Sequence, residues 1–177
     1  MAASGRIIQA IKAGNSMILG VDLGINYMAW GVVDVHGSYL TSSHMDIIRG
    51  QDNHETSWLT MQNFWQDQPE YALVVNETPY IDHSRPMVYG SQRILEHDLI
   101  CWGRKAHPQL PFHSISRAEI LSAFRLNTKC SKEDVIERVR MYGLGNPQSE
   151  HEADAIAAAF VGRHFAIDAC MKRGIVL

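Results

Sequence analysis

Residues 18–34 read ILGVDLGINYMAWGVVD. The run from Ile18 to Leu23 is apolar except for one acid, Asp22, and it closes at Gly24, the pattern of a buried strand that ends in a turn. Tyr27 to Asp34 is a second apolar stretch, and the turn residues His36, Gly37 and Ser38 separate it from a third that runs to Ile48. The simplest assembly is a meander of three antiparallel strands. Asp22 sits between Val21 and Leu23, where an uncompensated carboxylate is costly, so a cationic partner is expected beside it.

Downstream the pattern changes period. His54 to Gln68 carries Trp58, Met61, Phe64 and Trp65 at spacings of three and four, a helical face ended by Pro69. YALVVNE (71–77) is a continuous apolar strand whose place after a helical crossover suits parallel pairing inside the sheet. Arg85 to His107 reads as a helix with Ile94, Leu95, Leu99 and Trp102 on its apolar side, and PFHSIS (111–116) as a fifth strand. Helices are expected over Arg117 to Phe124, after Ser131 as N-cap, and from Glu150 to Met171 after Ser149. The fold class is therefore α/β, a five-stranded mixed sheet of three antiparallel strands followed by two parallel ones, flanked by helices.

The chain has 177 residues, 46% of them hydrophobic, enough for one domain with a true core. Residues 17–177 form that domain, and residues 1–16, with Arg6, Lys12 and a helical spacing of isoleucines, form a short helical or frayed extension that could pack on a partner subunit. No run of about 18 apolar residues provides a membrane span. Cys101, Cys130 and Cys170 are odd in number and widely spaced, which argues against a disulfide framework and for a reducing, intracellular compartment. A cytoplasmic location, in a bacterial or phage-infected cell, is expected, with a mitochondrial one as the alternative reading of the N-terminal stretch.

Two further acids break apolar patterns. Glu77 ends the strand YALVVNE, and Asp154 lies between Ala153 and Ala155 in an Ala-rich helix, with His151 three residues earlier on the same face. Acids at two strand ends and in one helical turn, meeting in one core, make a candidate divalent-metal site of Asp22, Glu77, His151 and Asp154. Oxygen ligands with one imidazole suit Mg²⁺, with Mn²⁺ as a substitute, and two such ions would serve phosphodiester hydrolysis. No GxSxG sequence and no local cysteine-activating motif supports nucleophilic catalysis.

These residues resemble the RuvC Holliday-junction resolvases of the RNase H-like superfamily. ILGVDLGINYMAWGVVD is similar to that family's first strand and hairpin, VVNETPY to its fourth strand, and GNPQSEHEADAIAAAF to its Asn-Pro-Gln loop and last helix. The resemblance implies an RNase H-like fold and a homodimer that binds four-way DNA junctions and makes paired nicks in recombination and repair. It places Asp22, Glu77, His151 and Asp154 at the metal ligands, Tyr80 at a base-stacking aromatic, and Lys132 at an active-site lysine facing the scissile phosphate. The family's second lysine is missing, as is its Gly-x-Gly before the matched lysine. Arg117, Arg125 or Lys129 is expected to substitute for that lysine in DNA binding, and a phage-type enzyme acting on several branched DNAs fits the departures.

Two rivals share parts of this pattern. Another RNase H-like nuclease, cutting RNA:DNA hybrids or a broad range of branched DNA, would use the same acids. The hairpin is also similar to the phosphate-binding hairpin of actin-like and Hsp70-like ATPases, but those need a second domain and glycine-rich loop that 177 residues do not supply. The formal charge of −3 is uneven: residues 1–84 hold 3 basic and 9 acidic groups, whereas residues 85–140 hold 10 and 6. The basic middle segment is the expected phosphate-tracking surface.

Overall fold

A computed structural model describes residues 3–79 and 84–177. Helix α1 (Ala3–Lys12) leads into strands β1 (Met17–Leu23), β2 (Tyr27–Asp34) and β3 (Tyr39–Asp46), followed by α2 (Asn53–Trp65) and β4 (Leu73–Glu77). The long α3 (Pro86–Ala106), β5 (Phe112–Ile115), α4 (Arg117–Ala123), α5 (Lys132–Met141) and α6 (Glu150–Met171) complete the order. The five strands form one sheet in the order β3-β2-β1-β4-β5. β1, β2 and β3 pair antiparallel, and β4 and β5 are parallel to β1, as the sequence pattern leads one to expect.

Strand alternation assigns the two faces. Ile18, Leu73, Val75 and Ile115 join the helices of one layer, chiefly α6, α4 and α5. Leu19, Val21, Leu23 and Val74 point the other way and pack with Met61, Phe64 and Trp65 of α2 and Leu95 and Leu99 of α3. By the same alternation Asp22 and Glu77 face α6, because they continue the Ile18, Gly20 and the Leu73, Val75 series.

The alanine richness of α6 has a steric cause. Gly20 and Gly31 are paired across β1 and β2, and a Cβ on Gly20 would lie 2.0 Å from the Ala155 carbonyl oxygen. The helix thus rests on the sheet backbone itself, and its first turn is carried down beside the end of β1. The N-terminal stretch is helical over Ala3–Lys12, and Ile7 of α1 is buried in the α6-side core. Trp58 departs from expectation, since it is 50% exposed while its helical neighbours Met61, Phe64 and Trp65 are buried. It packs edge-on against Trp102 of α3 at 4.5 Å beside the Lys105 ammonium, at the margin of the α2–α3 contact and outside the core that takes Met61, Phe64 and Trp65.

Candidate active site

The carboxyl ends of the parallel strands β1, β4 and β5 lie side by side, the region where open α/β sheets place their ligands. Asp22 is the sixth residue of β1 and Glu77 the last of β4. Ser149 caps α6 by accepting from the Glu152 amide, which sets Glu150 and His151 in the first helical turn and Asp154 one turn on. Nδ1 of His151 lies 2.5 Å from Oδ2 of Asp22. Tyr27, the first residue of β2, meets the imidazole edge-on with ring centroids 4.4 Å apart and fixes its plane.

Arg117 belongs to this cluster. It is the first residue of α4, directly after β5, where a capping box between Ser116 and Glu119 fixes the start of the helix. Its guanidinium is hydrogen-bonded to Asp154 Oδ1 and lies 3.8 Å from Glu77 Oε2. The partner demanded by a buried carboxylate is thus present twice, the His151 imidazole, cationic when protonated, for Asp22 and the Arg117 guanidinium for Asp154 and Glu77.

Compensation is incomplete. Burial pushes the Glu77 carboxyl up to about 7, with Asp154 and Asp22 adding to the rise and Arg117 opposing it. Burial also raises Asp154, against the pull of Arg117. The hydrogen bond that its imidazole donates to Asp22 raises His151 above its usual 6.5, against the opposing effect of burial. Burial disfavours the charged Arg117 guanidinium, yet Asp154 and Glu77 outweigh it and raise its pKa.

Such an excess of hard oxygen donors fits a divalent cation in kind. As the side chains stand, however, no group of three or more His, Cys, Asp or Glu among the described residues is placed to hold a metal ion. Asp22 is turned toward His151, and Asp154 toward Arg117.

Lys132 stands one step outside. As the first residue of α5 it pairs with Glu150, whose Oε1 is 3.4 Å from Nε2 of His151. Arg125 and Lys129 are exposed on the connection between α4 and α5, and Arg125 has a left-handed backbone with φ of 54°. Tyr80 lies outside the described residues.

Behind the acids is a polar layer absent from the sequence expectations. Glu96 of α3 is 4% exposed and accepts from Asn76 Nδ2 at 2.8 Å and Ser114 Oγ at 3.0 Å, and Arg93 pairs with it. Gln92, one turn before, donates to the Leu23 carbonyl at 2.9 Å. Helix α3 therefore grips the residue before Glu77 and the residue after Asp22. The detectable signal is Asn76, a polar residue at an inward position of an apolar strand. On the far side of α6, Glu152 is buried and bonded to His44 Nδ1 and the Gln148 amide, so it braces the loop before the helix and does not face Asp22.

The sheet order and the helices on both faces define an RNase H-like α/β fold. Among solved structures it is similar to that described as Thermus thermophilus RuvC in complex with Holliday junction substrate, at a TM-score of 0.67 and 17% identity over 90% of this chain and 97% of that one. It is also similar to a second Thermus thermophilus RuvC structure, at a TM-score of 0.64 and 18% identity over 89% of this chain and 96% of the other. At these identities the likeness is one of fold. No protein-family model and no curated protein matches the sequence.

Proposed function

We propose that the chain is a structure-selective DNA endonuclease that resolves four-way junctions by metal-dependent phosphodiester hydrolysis. One observation carries this reading: Asp22, Glu77, His151 and Asp154, from two strand ends and one helix turn, converge on the α6 face with more negative charge than their two cationic partners neutralise. The fold shared with a RuvC protein solved on junction DNA supports the substrate class.

In this mechanism Asp22, Glu77, Asp154 and His151 are the residues that would hold Mg²⁺, most simply two ions. Bound there, the cations would offset charge on the scissile phosphate and acidify the attacking water. Tyr27 keeps the His151 ring oriented toward Asp22. Arg117 and Lys132 supply positive charge at the inner and outer edges of the site, where phosphate oxygens would approach. Exposed Arg125 and Lys129 extend that charge along the α4–α5 connection. Tyr80, three residues past Glu77, would stack on a junction base, a contact worth about 1 to 3 kcal/mol. Paired nicks on opposed strands require two sites, so the active species is a homodimer.

The test is a comparison of substrates. A synthetic four-way junction, a linear duplex and an RNA:DNA hybrid are each incubated with the protein, with and without Mg²⁺. Mg²⁺-dependent cleavage of the junction alone is expected, whereas preference for the hybrid assigns the same site to RNA:DNA hydrolysis. Light scattering should give a mass near twice 19.9 kDa, and a stable monomer at working concentration contradicts paired nicking.

A further inference from the structure

We propose that Arg117 is a resident counter-cation of the acidic cluster, seated between Asp154 and Glu77, and that a divalent cation must displace its guanidinium in order to bind. The inference rests on the metal-dependent reading above and specifies how that site is regulated.

The geometry points to it in three ways. Arg117 is bonded to one acid and lies 3.8 Å from another, so a single guanidinium bridges two of the proposed ligands. With Arg117 in this position, no three or more His, Cys, Asp or Glu among the described residues are grouped to take a metal. Finally, its backbone is fixed by the Ser116–Glu119 capping box while its side chain is 35% exposed, so the guanidinium can swing outward without unfolding α4. An arginine forks onto carboxylate oxygens in fixed geometry and stays charged at any working pH. It therefore competes with a cation for the same oxygens wherever those carboxylates are ionised.

The consequence is a safeguard. In the resting protein Arg117 neutralises the acids and lowers cation occupancy. A phosphate arriving at the outer edge offers the guanidinium another anion, and the oxygens it leaves become available. Because such coupling is reciprocal, cation and phosphodiester then strengthen each other's binding.

The experiment measures Mn²⁺ binding to the metal-free protein by titration calorimetry, in the absence of DNA, for the wild type, Arg117→Gln, Arg117→Lys and Lys172→Gln. Lys172 caps the far end of α6 and pairs there with Asp168, which makes it a charge-matched control. Arg117→Gln is expected to bind Mn²⁺ roughly 10-fold more tightly than the wild type, within the usual range of such couplings. Arg117→Lys, with a point charge in place of the fork, is expected to lie between them, and Lys172→Gln to match the wild type. Circular dichroism establishes that each variant is folded, and Arg117→Lys keeps the comparison available should Arg117→Gln unfold. Equal or weaker Mn²⁺ binding by the Arg117 variants, with clear binding by the wild type, overturns the counter-cation proposal and leaves the metal site standing. Failure of every form to bind Mn²⁺, including Arg117→Gln, overturns both.

Discussion

Nδ1 of His151 lies 2.5 Å from Oδ2 of Asp22, although 129 residues separate them in the chain. The contact joins the first strand to the last helix and raises the imidazole pKa above 6.5. A histidine with a raised folded pKa stabilises the fold fully below its unfolded value, and that contribution is lost as pH rises through the folded value. Replacing Asp22 with Asn should therefore lower the His151 pKa, as read by NMR titration of the imidazole. The same variant should bind a four-way junction and fail to cut it with Mg²⁺. Full cleavage by Asp22→Asn would remove Asp22 from the proposed site.

Glu77 reverses the usual sign for an acid. Its folded pKa of about 7 exceeds the ordinary glutamate value of 4.5, so the native state holds this proton more tightly than the unfolded chain does. Stability should then fall as pH rises from about 4.5 to about 7, by roughly 3 to 4 kcal/mol at most on the scale of about 1.4 kcal/mol per pH unit. Glu77→Gln, which carries no charge at any pH, should be the more stable form of the metal-free protein at pH 8 and lose that advantage near pH 5. Urea denaturation at the two pH values reads the difference, and a destabilised variant at pH 8 would contradict the buried, under-compensated carboxylate. The same substitution should abolish cleavage, so stability and activity move in opposite directions.

Gly20 tests the packing that brings the two halves of the site together. A Cβ there meets backbone atoms, the Ala155 carbonyl oxygen at 2.0 Å and the Ala159 nitrogen at 2.4 Å, which no rotamer change relieves. Gly20→Ala should cost about 3 kcal/mol or more, at the upper end of overpacking effects. It should also lift α6 away from β1 and weaken cleavage beyond what the lost stability explains. A cost below about 1 kcal/mol, read from the shift in denaturation midpoint, would mean that α6 does not rest on this strand.

Arg125 occupies a left-handed conformation, at φ of 54°, that glycine adopts freely and other residues adopt at a cost of about 1 kcal/mol. Relief of that strain in Arg125→Gly is partly offset by the greater entropy of the unfolded chain, so stability should stay level or rise by less than about 1 kcal/mol. Junction binding should weaken, and its logarithmic salt slope should become shallower by about one phosphate contact. Unchanged salt dependence would place Arg125 off the DNA path.

Much of this architecture is legible in the sequence because strand and helix periods carry it. The alternation that buries Ile18 and Val75 also fixes the face on which Asp22 and Glu77 emerge, and the three-residue spacing of His151 and Asp154 fixes theirs. Arg117 was legible only as one of three basic candidates, with Arg125 and Lys129, for the lysine missing from the resemblance. Its inward role depends on β5 being parallel to β4, with Ile115 in register with Glu77, and that pairing sets the first residue of α4 beside the acids. The Glu96, Asn76 and Ser114 layer was signalled only by Asn76, a polar residue in an apolar strand, since it brings together residues of α3, β4 and β5 through side-chain bonds that no local pattern encodes. Trp58 illustrates the limit of periodicity: its helical spacing matches a buried face, yet it packs against Trp102 and Lys105 of α3 at the core's margin and stays half exposed.

The central claim is that this acidic cluster cuts branched DNA. Its most direct test maps the nicks made in a synthetic four-way junction by the wild type and by Asp22→Asn, with Mg²⁺ present. The account predicts two symmetrically placed nicks on opposed strands, sealable by a ligase, and none with Asp22→Asn. Unpaired or scattered nicks, equal cutting of linear duplex, or undiminished cutting by Asp22→Asn would contradict it.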